Sequence, residues 1–284
     1  MDATHIAGGA SSRAAHHVRL SSVAGALSAS LSLAAQPAFG LQVPKCEMRV
    51  EQQGSFGNAS TSDANLSATD VDGQLQLGRN VFFADATSVS GARVGLGNGA
   101  SIFDVHVSVL KLGRGAIVRG TQQPFQGGAA TCALAAVACG GPNVSLRRGD
   151  SPRVLTPGTY NSLSLENGTS LTLSPGTYSF CELHLGNRAN VQVSGAAQST
   201  IAVAGEVALE NNTTFGPAAG TPTPLLNVGG DLVRFAAHSD VRAFVTAPDA
   251  RLSLGRGATF TGAACSQTLA GSATVTVRCA PDVP

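Results

Sequence analysis

Five stretches of the chain repeat one short pattern, and that repetition restricts the available folds more than any other feature. Each is an alternating apolar run ending in Leu-Gly, followed by a polar turn and usually a small residue. The copies are Leu75-Gln76-Leu77-Gly78-Arg79-Asn80, Val94-Gly95-Leu96-Gly97-Asn98-Gly99-Ala100 and Leu110-Lys111-Leu112-Gly113-Arg114-Gly115-Ala116. Two more follow, Leu183-His184-Leu185-Gly186-Asn187-Arg188-Ala189 and Leu252-Ser253-Leu254-Gly255-Arg256-Gly257-Ala258. A second motif, Pro-Gly-Thr-Tyr, ends at Tyr160 and again at Tyr178. Gly78 to Gly97, Gly97 to Gly113 and Tyr160 to Tyr178 are steps of roughly 16 to 20 residues, in the range that signals a stacked array. One copy is too small to bury its apolar face, so neighbouring copies must cover it. Val105, Val107 and Val109 alternate with Asp104, His106 and Ser108, which sends one set inward and the other to water. The expected fold is all-β, a single-stranded right-handed parallel β-helix, or β-solenoid. A hairpin-built β-sandwich is the alternative, because it shares the alternation without needing the recurring turn.

Composition agrees with many short strands. The chain has 34 glycines, 5% aromatic residues and no tryptophan, which suits tight turns better than aromatic-lined pockets. Charged residues are 12% and the net charge is +1, so no strong field marks a nucleic-acid or anionic-membrane partner. Residues 1–40 read as an export signal. Arg13, His16, His17 and Arg19 precede an apolar stretch from Val23 to Ala35, then the small-x-small site Ala38-Phe39-Gly40. Residues 41–70 read as a polar lead-in or cap, and 71–280 as the solenoid. The pattern fails at about 121–152, read as a Cys/Gly-rich loop insertion. Thr213 to Pro224 reads as a second surface loop.

All six cysteines follow the expected cleavage site, and an even number in an exported chain favours disulfides. Short loops favour Cys132 with Cys139 and Cys265 with Cys279, leaving Cys46 with Cys181. Zinc is the weaker alternative, since no CxxC spacing occurs.

Leu155-Thr156-Pro157-Gly158-Thr159-Tyr160 resembles a segment of bacterial ice-binding-like solenoid domains. Phe244 to Ala250, with Leu252-Ser253-Leu254-Gly255-Arg256-Gly257-Ala258-Thr259-Phe260-Thr261-Gly262-Ala263, resembles a stretch of exported bacterial surface β-helix proteins. The resemblance covers roughly Val154 to Ala264 and consists of turn and core motifs. It implies a cell-surface or extracellular bacterial protein and carries over no site residue.

Chemistry-bearing motifs are sparse. There is no Gly-x-Ser-x-Gly elbow and no phosphate-binding Gly-x-x-x-x-Gly-Lys loop. Asp104 with His106, and Glu182 with His184, should share strand faces; a carboxylate beside an imidazole could bind metal or move protons, but solvated polar residues are the plainer reading. Asp72, Asp85, Asp104, Glu166, Glu182, Glu206, Glu210, Asp231, Asp240 and Asp249 are spread along the turns, where an enzyme would need some to converge. Ice binding would need ranked threonines on successive turns; Thr259-Phe260-Thr261 and Thr274-Val275-Thr276 are Thr-x-Thr units, but the earlier turns carry Arg, Asn, Gln or Ser instead. Sequons start at Asn58, Asn65, Asn143, Asn167, Asn211 and Asn212, and chance explains them in a chain this rich in Asn, Ser and Thr. No catalytic, cofactor-binding or metal-binding residue is assigned. The expectation is a secreted or cell-surface (or periplasmic) non-catalytic protein with a structural or adhesive role. Its expected partners are cell-envelope polysaccharide or other surface proteins, with self-association through the solenoid ends, no nucleic acid and no membrane span in the mature chain. The alternatives are a carbohydrate-active β-helix enzyme or polysaccharide-binding protein, and then an ice-binding protein.

Overall fold

A computed structural model describes residues 47–127 and 132–279. The expected export signal and Cys46 lie outside the described residues. No described residue is helical, and every strand pairing is parallel. The strands form a β-solenoid of about 12 turns. Each turn contributes to three ladders, and several long strands, such as Asp240–Leu254 and Thr259–Gly271, bend from one ladder into the next. Side chains of successive turns stack in register. One inward row runs Val105, Val89, Leu66, Met48, Ala264, Val245, Leu226, Ile201 and Tyr178, and all nine are fully buried. Parallel strands need this closure, because their ladder hydrogen bonds and one apolar face must both be covered.

The order of that row does not follow the sequence. Numbers fall from 105 to 48, jump to 264, then fall again to 178. The first turn, Glu47–Phe56, therefore lies between Thr259–Gly271 on one side and Asn65–Ala68 with Gln74–Leu77 on the other. Residues 47–68, expected as part of a polar lead-in or cap, instead sit inside the stack. Met48, Val50, Phe56, Leu66 and Ala68 supply the inward face, and the Ser, Asn and Gln residues between them mask that alternation in the sequence. Likewise Thr214–Pro217, expected as loop, is a strand of the third ladder.

All five Leu-Gly copies fall on one ladder, the second, and lead into one corner. At that corner the third turn residue has positive φ in successive turns, whether glycine (Gly99, Gly115, Gly168, Gly257) or not (Ala59, Asn80, Arg188, Asn212, His238, Thr274). The leading glycine answers a different demand. A Cβ on Gly97 would sit 2.6 Å from the Gly78 backbone, and one on Gly255 would sit 2.5 Å from that of Ala236. Asparagines tie the corner together: Asn58, Asn98, Asn167 and Asn211 accept from the backbone N–H of Arg79, Arg114, Asn187 and Ala237 in adjoining turns. The Pro-Gly-Thr-Tyr copies, by contrast, are out of phase. Tyr178 pairs with Gly158 rather than Tyr160, while the Tyr160 ring stacks 5.5 Å from Phe180.

The jump in order requires a long connection. From Gln122–Gln123 to Gly158–Thr159 the first ladder takes ten inter-strand steps, or roughly 48 Å. The chain from Gln123 to Val144 reaches about 70 Å extended but only about 32 Å as a helix. A strap without helix is what that distance requires. Its described residues, 124–127 and 132–143, contain no strand or helix, and Asn161 donates to the Pro142 carbonyl at 3.0 Å where the strap ends. The region expected as an inserted loop at 121–152 is thus this strap, flanked by strands Gln122–Gln123 and Val144–Leu146.

Disulfides join the strap to the stack. Cys132 bonds Cys265 with Cα atoms 5.9 Å apart, and Cys139 bonds Cys181 at 5.0 Å. This corrects the expected Cys132–Cys139, Cys265–Cys279 and Cys46–Cys181 pairs. The strap carries Cys132 and Cys139 past different turns, so each meets the turn beside it rather than its sequence neighbour.

Candidate functional site

Where the two halves of the stack meet, the outward face of the second ladder is recessed. Arg93, Gln74, Gln53, Thr268 and Arg251 form one unbroken register row. Beside it runs a second row, Gly95, Gln76, Ser55, Ala270 and Ser253, mostly of short side chains. The long polar arms of one row and the low floor of the other make a trough across five strands. Its centre is an open recess of ≈ 360 Å³ lined chiefly by Gln53, Ser55, Gln74, Gln76, Thr268 and Arg251. Gly54 lies beneath, where a Cβ would stand 2.8 Å from Leu75 Cδ2. None of those six side chains, nor Arg93, spends a hydrogen bond or ion pair on another described residue. Three amides, two hydroxyls and a guanidinium thus face solvent with donors and acceptors free.

Carboxylates stand two to four residues before three of the residues that line this recess, Glu51 before Gln53, Asp70 before Gln74 and Asp249 before Arg251. The register breaks between Val50 and Gln53 and between Ala247 and Arg251, and such bulges re-aim the residues they release. Glu51 and Asp249 lie in these breaks, and Asp70 donates its backbone N–H to the Glu51 carbonyl at 2.9 Å. Burial pushes the Glu51 carboxyl above its ordinary value, and the charges of Asp249 and Asp70 add to the rise. Carboxylates from different turns therefore act on one another through their charges, although Glu51 and Asp70 carried no signal in the sequence.

Comparison with family models, curated proteins and solved structures returns no match.

The sequence-derived pairs behave differently from the trough. Asp104 is committed to Thr121, accepting from its backbone N–H at 2.6 Å and its hydroxyl at 2.9 Å. Those bonds, backbone first, hold the carboxyl below its ordinary value, with a smaller contribution from His106. Glu182 and His184 both face outward, but the carboxylate nearest His184 is Glu210 of the next turn, at 3.8 Å. Glu210 also pairs with Arg234, which makes a surface network. The Thr-x-Thr units do not form a flat rank. Thr276 pairs with both Thr259 and Thr61, but Asp240 continues the row and Thr274 lies in the turn with φ of 58°. Among the described residues no group of three or more His, Cys, Asp or Glu side chains could hold a metal ion. Most sequon asparagines serve the fold: besides the corner residues, Asn65 accepts from Ser88 N–H and Asn143 from Asn161 and Ser162.

Proposed function

We propose that this is an exported, non-catalytic solenoid that holds surface or matrix polysaccharide, in a structural or adhesive role. The carrying observation is the trough: six polar side chains that converge on one recess and spend none of their hydrogen-bonding capacity within the described residues. Ligand sites combine a preformed concavity with a few placed polar groups, and here the parallel ladder fixes their spacing. Two disulfides binding the strap support an oxidising compartment. The resemblance of the turn and core motifs to those of exported bacterial solenoids points the same way. A glycan array probed with the intact protein tests the reading. Retention on at least one polysaccharide, reduced by Gln74→Ala with Gln76→Ala, is the expected result.

One observation favours a second reading, a carbohydrate-active enzyme. Glu51, with its raised proton affinity, feels the charges of Asp70 and Asp249, and it stands two residues before Gln53 of the recess; paired carboxylates of unequal proton affinity are the tools of glycoside cleavage. A polysaccharide turnover screen separates the two. Release of reducing ends that Glu51→Gln abolishes would establish the enzyme and overturn the non-catalytic reading.

A further inference from the structure

Resting on the polysaccharide-binding reading, we infer that the trough takes a neutral, hydroxyl-rich glycan chain laid along the solenoid axis across the five strands from Arg93 to Arg251. The direction follows from the register. Arg93, Gln74, Gln53, Thr268 and Arg251 succeed one another on adjacent strands, so their termini mark a line of roughly 19 Å perpendicular to the strands. The short residues Gly95, Ser55, Ala270 and Ser253 leave the room beside that line, while Gln76 reaches over Gly95.

The chemistry selects the ligand. An amide offers two donors and two acceptor lone pairs, and a serine or threonine hydroxyl offers both functions; sugar hydroxyls need that mixture. An acidic polymer would meet only the two guanidiniums at the far ends of the row, and it would lie beside Glu51, Asp70 and Asp249. A nucleic acid would lack both closely spaced cations and stacking rings. A peptide could not add itself as a strand, because the five strands that carry the row are paired to one another and, at both ends, to strands of the next turns. With no aromatic platform, affinity comes from several hydrogen bonds acting together, so it rises with chain length until the glycan spans the row.

The test is affinity electrophoresis and calorimetry of the full, disulfide-intact protein with xylan, galactomannan and β-glucan, against polygalacturonate and alginate. The expected result is binding to a neutral polymer at least tenfold tighter than to either acidic one, little changed between about 0.05 and 0.5 M salt. Oligosaccharides of increasing length should gain affinity until they span roughly 19 Å and then level off. Gln53→Ala with Gln74→Ala should weaken binding about tenfold, and Ala270→Phe, which fills the floor from outside the core, should do the same. Ser253→Phe provides a second obstruction if Ala270→Phe does not fold. Tighter binding of the acidic polymers, sensitive to the same substitutions, would overturn the neutral ligand and leave the polysaccharide-binding reading standing. Neutral-glycan binding that survives every trough substitution would overturn the site. Failure of all five polymers to bind would remove both.

Discussion

Thr274 sits in a backbone conformation that suits it poorly. Its φ is 58°, at the corner position that Gly99, Gly115, Gly168 and Gly257 occupy in other turns. A β-branched side chain crowds the carbonyl there, at a cost of about 1–2 kcal/mol, whereas glycine and asparagine tolerate it. Thr274→Asn is therefore expected to stabilise the protein by about 0.5–1 kcal/mol, read from its urea midpoint at unchanged m-value. The corner shows what a single residue reveals in a sequence. Gly97 and Gly255 are legible because backbone of the neighbouring turn occupies the space a Cβ would need. Arg188, His238 and Thr274 adopt positive φ too, but nothing in their identity announces it; the turns above and below impose the angle. The trough residues were equally silent, since Gln53, Gln74 and Gln76 look like ordinary outward positions until the register places them side by side.

At the scale of the element, the strap decides how much of the cysteine chemistry could be read. Pairing by shortest loop assumes that neighbours in sequence are neighbours in space. A strap travelling past ten ladder steps breaks that assumption, because the six residues between Cys132 and Cys139 carry the chain from the Cys265 turn to the Cys181 turn. The bridges consequently close long loops, of 133 and 42 residues. In the loop-closure limit the shorter one removes unfolded-chain entropy equivalent to about 4 kcal/mol. Cys139→Ser with Cys181→Ser should lower the unfolding free energy by up to about 4 kcal/mol, measured in denaturant without reductant. A loss near zero would mean that the strap is held by its other contacts.

Across the whole stack, the repeat predicted parallel turns but not their order. Leu-x-Leu-Gly copies are interchangeable as packing units, so the sequence specifies that a turn stacks without specifying on which neighbour. The order follows from the ends: the first turn, with Met48 and Val50, meets Ala264 and Ser266 of Thr259–Gly271, which covers an apolar edge in each half. That junction also brings Glu51 and Asp70 of the first half toward Asp249 of the second, and this gives the assembled molecule a pH dependence. Because the folded-state proton affinity of Glu51 is raised, the folded chain binds more protons than the unfolded chain in the window between the two values. Stability is then fully present below the ordinary glutamate range and is lost as pH rises through the elevated value. Glu51→Gln removes the charge that desolvation and the two aspartates oppose. The variant should unfold at a higher temperature than the parent at pH 7, with the difference vanishing below about pH 4. A parent whose midpoint is unmoved by Glu51→Gln at pH 7, or moved equally at both pH values, would show that the three carboxylates do not strain the junction between the halves.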